Sequence, residues 1–481
     1  MTTTLATAPP TEADPYPRRW AAAVVMMIAA LMDLLDVTIV NVAIPSIGRD
    51  LHASQSDLQW LVSAYLLAFG ATLIVSGHLG DRFGRRGLFL AGTAGFGLAS
   101  LGCGLAQSPG QLIAARAVQG VLAAVLVPQV LGSFRTLFRG KERGAAFGVY
   151  GAVAGFASAV GLLLGGLLTD ADLFGWGWRS VFLVNVPVAV ATLAAGLVLV
   201  PSTKERSAGR PDVLGSLVLA AGLVAIVLPL VQGRENGWPL WGWVCLAAGV
   251  CAVAGLGVFE ARRRAAGTVP LLPARAFRLP AFSVGVLVQL LFSVGMQGFF
   301  LVFALWLQGG ERYTPMQAGV VTVAFSVGGF LTAPAADGLA VRFGRLVLGA
   351  GALMMAGGCG WVWAAVTGAS TTHTGAWPLV PGLVIAGAGL GCLVVPLVNV
   401  VLSAVPGDLA GGASGIFSTA QQFGGALGAA VVGTVFFDHA GTGLTDALTA
   451  AMPWVTGTFV VCAVLCAALP RRAMSSSPAG A

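Results

Sequence analysis

Long apolar runs separated by short polar stretches make up nearly the whole chain. Fourteen can be marked, roughly 20–44, 58–79, 87–106, 110–137, 144–169, 179–200, 212–232, 240–260, 281–307, 316–336, 346–367, 377–402, 411–437 and 451–469. Each is long enough to cross a bilayer as a helix, which takes about 20 residues at about 1.5 Å rise per residue. A transmembrane barrel would instead show alternating segments of about 10 residues, so the pattern predicts helices. The connections are short, the longest being about twenty residues between the eighth and ninth runs. The expected fold class is therefore an all-α integral membrane protein with 14 transmembrane helices.

Composition sharpens this by exclusion. Of 481 residues, 57% are apolar and only 9% charged, against about 25% charged in a soluble domain. A soluble enzyme, a disordered chain and a disulfide-stapled domain are all excluded. The 68 glycines would weaken helices in water but suit close helix packing in lipid. Cys103, Cys245, Cys251, Cys359, Cys392, Cys462 and Cys466 all lie inside apolar runs. They lack the spacing of a zinc site or redox pair, so they read as small packing residues, and no metal or cofactor is expected.

The net charge of +7 does not point to nucleic acid, because excess Lys and Arg in a membrane protein mark the cytoplasmic loops. With the N-terminus inside, 21 of the 26 cations fall in cytoplasmic segments. Four (Arg49, Arg179, Arg234 and Arg312) fall outside, and Arg116 lies within the fourth run. That asymmetry predicts both termini in the cytoplasm. The first run, from Trp20, is too long for a signal-peptide core. The basic run Arg262–Arg264 suits anionic headgroups beside the eighth helix.

The chain also repeats itself. Arg82-Phe83-Gly84-Arg85 recurs as Arg342-Phe343-Gly344-Arg345, displaced by 260 residues. Gly144, Gly148, Phe156, Ala159, Gly161 and Gly166 align with Gly411, Gly415, Phe423, Ala426, Gly428 and Gly433, displaced by 267. Two repeats at nearly one displacement predict two related six-helix bundles, an arrangement typical of secondary transporters. The expected organisation is a tail over 1–19, a bundle over 20–200, an inserted pair with its linker over 201–265, a second bundle over 266–470 and a tail over 471–481.

The sharpest motif is Gly77-His78-Leu79-Gly80-Asp81-Arg82-Phe83-Gly84-Arg85-Arg86. Its glycines permit a tight turn, and Asp81 can pair with arginines or accept backbone N–H bonds. The segment resembles the signature loop of the major facilitator superfamily. Leu112 to Gly120, containing Arg116 and Gln119, is similar to the fourth-helix motif of that superfamily. Leu35-Asp36-Val37-Thr38-Ile39-Val40-Asn41 to Pro45 resembles the first-helix signature of its fourteen-helix drug:proton antiporter branch, and Trp178 to Pro187 the start of helix six. The resemblance implies a major facilitator fold in the cell membrane. It further implies alternating-access export of hydrophobic or cationic drugs or antibiotics in exchange for protons. It makes Gly77, Gly80, Asp81, Arg82, Gly84 and Arg85 a conformational gate. It also makes Gly161, Leu162, Gly165 and Gly166 the helix-five packing motif, with Leu162 standing where the antiporter pattern has proline. In the second half, Val341 stands in the place of Asp81.

Ionisable groups inside a membrane are costly and usually functional. Three are present, Asp33, Asp36 and Arg116. The two carboxylates lie three apart, on one helix face. Asp36 and Arg116 both fall about 10 Å below the outer boundary by helical rise, so a charge pair is expected. Asp36 matches the family motif and is the expected proton-coupling carboxylate with Arg116; Asp33 lies outside the motif and is either a proton or substrate contact or a cavity residue with no partner. Asn41, Tyr65, Gln119, Gln129, Gln289, Gln297 and Asn399 are the polar or aromatic candidates for a substrate cavity, with Asp33. A permanent buried ion pair and simple interhelical bridging are the competing structural readings. Expected partners are a small-molecule substrate, protons and lipid, with no nucleic acid and a monomeric state. No nucleophile–base pair, metal cluster or phosphate loop points to an enzyme or ATP-driven pump. The competing functions are a proton-independent facilitator or importer, favoured by Leu162, and a non-transporting receptor or scaffold.

Overall fold

The computed structural model describes residues 16–138, 140–172, 175–202, 213–233, 237–265, 275–368, 375–406 and 410–469. Among these, helices are the only regular structure. The first five are α1 (Arg19–Asp50), α2 (Gln55–Phe83), α3 (Arg85–Gly104), α4 (Pro109–Leu137) and α5 (Gly140–Asp170). The stretch Gly177–Leu199, α6, consists of a 3-10 turn and two helical pieces, Ser180–Leu183 and Asn185–Leu199. Pro187 explains the break, since it offers no N–H to the carbonyl of Leu183. Then follow α7 (Val213–Gln232), α8 (Leu240–Ala265), α9 (Pro280–Gly309), α10 (Pro315–Phe343), α11 (Arg345–Thr367), α12 (Val380–Ser403), α13 (Ala410–His439) and α14 (Leu444–Cys466). Ten segments among the described residues are long and apolar enough to cross a membrane; Val160–Asp170, Leu217–Gln232 and Leu240–Leu256 are shorter apolar stretches.

Local chemistry sets the helix ends. Ser54 accepts from Asp57 N at 3.1 Å while its own N–H donates to the Asp57 carboxylate at 2.9 Å. Thr314 and Gln317 form the same reciprocal box at the start of α10, displaced by the same 260 residues. Such boxes satisfy two of the N–H groups that a helix start leaves without partners. The repeated Phe-Gly-Arg turns also fold alike. Gly84 and Gly344 have φ of 94° and 59°, a region that glycine enters without strain, and α3 and α11 begin at the next arginine. Arg86 donates to Leu197 O at 2.5 Å. Arg345 donates to the carbonyls of Ala467 and Leu469. Each turn is thereby tied to the C-terminal end of the last helix of its own group, where cations are favoured. The first helix departs from expectation: it continues through Pro45 to Asp50 instead of ending near residue 44.

Helices α1 to α6 pack chiefly among themselves, α1 on α5 and α6, and α2 and α3 on α4. A second group forms from α9 with α13 and α14, and from α12 with α10 and α11. The groups meet along two seams, α2 against α13 and α5 against α10. Helix α7 pairs with α8 and lies against α2 and α13, so the inserted pair rides on the outside of one seam. One end of the assembly carries Asp50, joined to Trp178 Nε1 at 2.8 Å and Arg179 at 2.7 Å. The other carries Arg19, joined to Glu142 by two hydrogen bonds of 2.9 and 2.8 Å. Among the described residues, hydrogen bonds between the two groups join positions from mid-helix to the Asp50 end. Thr419 donates to Gly70 O at 3.0 Å, Ser63 to Ala426 O at 3.3 Å, Gln308 to Val42 O at 2.7 Å and Met316 N to Asp170 at 3.0 Å. The molecule is closed at that end.

Candidate functional site: a buried charge centre in the first helix group

Asp36 is 0% exposed and Arg116 2%, and they form the ion pair expected from their matching depths. Arg116 Nη1 donates to Asp36 Oδ2 and, at 2.7 Å, to Gln119 Oε1. Asp36 Oδ1 accepts from Gln119 Nε2 at 2.9 Å and from Asn185 Nδ2 at 3.0 Å. Both amides also reach Ser100 Oγ, at 2.8 and 3.4 Å. The amide orientations follow from these partners, since each nitrogen must face an acceptor. Donors from α4 and α6 thus converge on a carboxylate of α1, with Ser100 of α3 behind the two amides, and every group that reaches the carboxylate is a donor.

Asp33 is placed differently. It is also buried, yet its single hydrogen bond among the described residues comes from the Tyr65 hydroxyl on α2. Tyr65 is fully buried, and the Arg116 guanidinium stacks on its ring with 4.2 Å to the centroid, a cation–π contact. Gly120 makes that stack possible. A Cβ there would lie 2.3 Å from the Tyr65 carbonyl oxygen, so only glycine lets α4 approach the α2 backbone this closely.

The remaining expected cavity residues are dispersed. Gln119 clamps Asp36. Gln129 bridges α4 to α2 through Ser76 O at 3.1 Å and also donates to Val125 O of its own helix at 3.1 Å. Asn41 accepts from Gln297 across the groups at 3.0 Å. Gln289 donates to Ser293 on its own helix, and its Oε1 is buried without a partner. Asn399 is exposed on α12. Sequence reasoning missed Ser100 and the role of Asn185. Asn185 opens the second piece of α6, and a polar residue there within an apolar run was the available signal.

In the expected gate, Gly84 makes the turn, and Gly80 lies against Gln129, whose Oε1 would be 2.0 Å from a Cβ. Arg85 lies so close to Gly132 that a Cβ there would meet its Nη1 at 1.7 Å. The packing of Gly77 and the side chains of Asp81 and Arg82 lie outside what the structure describes. In helix five, Gly161 and Gly165 pack on α1, facing Thr38 and Ile39, while Gly166 packs on Met316 of α10. Leu162 is buried beside a small cavity at the α5–α10 seam with Asn41, Phe300, Phe303 and Gln308. Its carbonyl faces Gly319. No cluster of three metal-ligating side chains occurs among the described residues.

The chain matches the Major Facilitator Superfamily over residues 26–429. It is 40% identical over 435 residues to a "Probable actinorhodin transporter" of Streptomyces coelicolor, covering 90% of this chain and 75% of the relative. It is 39% identical over 453 residues to a puromycin resistance protein of Streptomyces alboniger, covering 92% and 87%. A crystal structure of a peptide transporter in complex with sulfate superposes with a TM-score of 0.68 at 15% identity, covering 96% of this chain and 95% of that one; at that identity it supports the fold alone. The chain therefore belongs to the Major Facilitator Superfamily, and is a multi-pass transporter of the plasma membrane rather than an enzyme.

Proposed function

We propose that this protein exports hydrophobic or cationic antibiotics in exchange for protons by alternating access. The observation that carries the reading is the buried Asp33–Asp36–Arg116 centre, an expensive set of charges for a structural role inside a membrane. Relatives named for actinorhodin transport and puromycin resistance support the direction and the substrate class. The reading includes fourteen membrane crossings, six in each half plus the α7–α8 pair, and a monomer. It puts both termini and the Arg19 end in the cytoplasm, following the cation asymmetry, so the Asp50 end is outer and the structure is outward-closed. The Gly77–Arg86 segment is the proposed conformational gate. Proteoliposomes with an imposed pH gradient test it: puromycin should accumulate against its gradient only while the pH gradient lasts. Equal puromycin movement with and without the gradient would leave a facilitator, the reading that Leu162 in place of proline favours.

A further inference from the structure

We infer that Asp33, rather than Asp36, is the carboxylate whose proton is exchanged, and that Tyr65 is its hydrogen-bond partner in both protonation states. The inference starts from charge balance. Asp33, Asp36, Arg116 and Glu311 are the buried charged residues among those described, and Arg116 is the one cation in the set. Arg116 is committed to Asp36. If both carboxylates were ionised, one buried negative charge would have no counterion, which is strongly unfavourable. A single proton on either acid makes the centre neutral.

Hydrogen-bond chemistry decides which acid takes it. Asp36 is surrounded by Arg116, Gln119 Nε2 and Asn185 Nδ2. All three offer hydrogens and none offers a lone pair. A protonated Asp36 would push its own O–H against donors, so the geometry requires the ionised form. Asp33 faces a hydroxyl, which can donate to a carboxylate or accept from a carboxylic acid. The Asp33–Tyr65 pair therefore accommodates either state by turning one O–H. On release, the Asp33 proton leaves to water, the carboxylate keeps the electron pair, and Tyr65 turns from acceptor to donor. Access agrees: Asp33 keeps 5% exposure and Asp36 none.

The other titratable groups around Asp33 leave this assignment intact. They are Asp36 on its own helix, Tyr65 on α2, Arg116 on α4 and Tyr150 on α5, with Cys103 of α3 beside the Asp36–Arg116 pair. Helix α9, which also packs against α1, carries no titratable side chain. Tyrosine and thiol side chains are ordinarily neutral near pH 7, leaving Asp33 to take up the proton.

The role in transport rests on the proton-exchange reading above, but the test does not. Infrared difference titration of the reconstituted full-length protein, without any transported drug, reads the C=O stretch of a buried carboxylic acid. Wild type should show such a band, lost on alkalinisation. Asp33→Asn should remove it. Tyr65→Phe should retain it with a shifted frequency and midpoint, because one hydrogen bond is gone. Asp36→Asn with Arg116→Gln, which removes the pair as a neutral unit, should also retain it. A band that survives Asp33→Asn, or disappears in the Asp36/Arg116 double variant, would overturn the assignment. If Asp33 titrates as described while puromycin ignores the pH gradient, the export reading fails and the Asp33 assignment stands.

Discussion

Replacing Gly166 with alanine should drive the transporter toward a state open at the Asp50 end. In the structure a Cβ at Gly166 would lie 2.6 Å from Met316 Cα and 2.7 Å from Pro315 O, both backbone atoms of α10. Ordinary contact begins at 3.4 Å, so α5 and α10 must part by about 0.8 Å locally. The same seam is tight from the other side, where a Cβ at Gly319 would meet Leu162 O at 2.6 Å. Overpacking a rigid contact of this kind costs about 1–3 kcal/mol. The cost falls only on the state in which these ends touch. A bias of about 1–3 kcal/mol shifts a two-state equilibrium by about 5–150-fold. Gly161→Ala is the control, since a Cβ there would meet Thr38 Oγ1, in the same helix group. It should destabilise the fold without changing the balance of states. Spin labels at the exposed positions Ala171 and Arg312, with the native cysteines replaced, would report the distance at the Asp50 end by pulsed dipolar spectroscopy. A folded Gly166→Ala protein with an unchanged distance distribution would refute the reasoning. An equal shift in Gly161→Ala would do so too.

Removing Arg116 alone should cost about 3–5 kcal/mol, the usual penalty for stranding a buried charge, whereas Asp36→Asn with Arg116→Gln should recover most of it. Additive losses in thermal melts of the purified protein would refute the pairing. At the Arg19 end, hydrogen bonds from Arg19 hold the Glu142 carboxyl below the usual glutamate range. A lowered folded pKa means that this contribution is present above the unfolded value of about 4.3 and fades as pH falls through the folded one. Glu142→Gln should therefore melt slightly lower than wild type near neutral pH and converge with it in acid; a gap that widened on acidification would reverse the sign. The effect is small, because the pair is solvent-exposed. Cysteines placed along α7 and α8 should show no substrate-protected aqueous labelling, since the pair lies outside the α2–α13 seam; protection there would put it in the pathway.

Periodicity and charge counting made the helices legible, and matching depths made the Asp36–Arg116 pair legible. What escaped was convergence between helices. Residues 36, 100, 119 and 185 belong to four elements, and no spacing rule says that two amides sharing one hydroxyl will meet at one carboxylate. Gln119 and Gln129 read as cavity residues because a polar side chain in an apolar run suggests a pore. In the fold each reaches an acceptor on a neighbouring helix, as buried amides must. The run past Pro45 was misread for a different reason. Proline removes one intrahelical bond but does not oblige a helix to stop, and the polar residues to Asp50 still fit the helix where it reaches the interface. The boxes at Ser54–Asp57 and Thr314–Gln317 were legible in principle, as capping residues spaced three apart. They are a third match to the internal repeat.

The position of Tyr65 gives Asp33 a route to the seam. Its ring lies under Arg116, and its carbonyl oxygen is pressed against Gly120, so the residue has little freedom on the α4 side. The next residue, Leu66, meets the second helix group, where a Cβ at Gly425 would be 2.9 Å from its Cδ1. Ser63 and Gly70, two residues before and five after Tyr65, hydrogen-bond to Ala426 and Thr419 of the same partner helix. Close-packed contacts of this kind switch between arrangements more readily than they stretch. A reorientation of the Tyr65 hydroxyl when Asp33 loses its proton would therefore act one residue away from the α2–α13 seam. Tyr65→Phe removes the hydroxyl while keeping the ring under Arg116. It should uncouple the two events: the Ala171–Arg312 distance distribution, which should depend on pH in wild type, should become insensitive to it. If wild type and Tyr65→Phe respond to pH alike, Asp33 titrates without informing the seam, and the link between proton and closure must run through another contact.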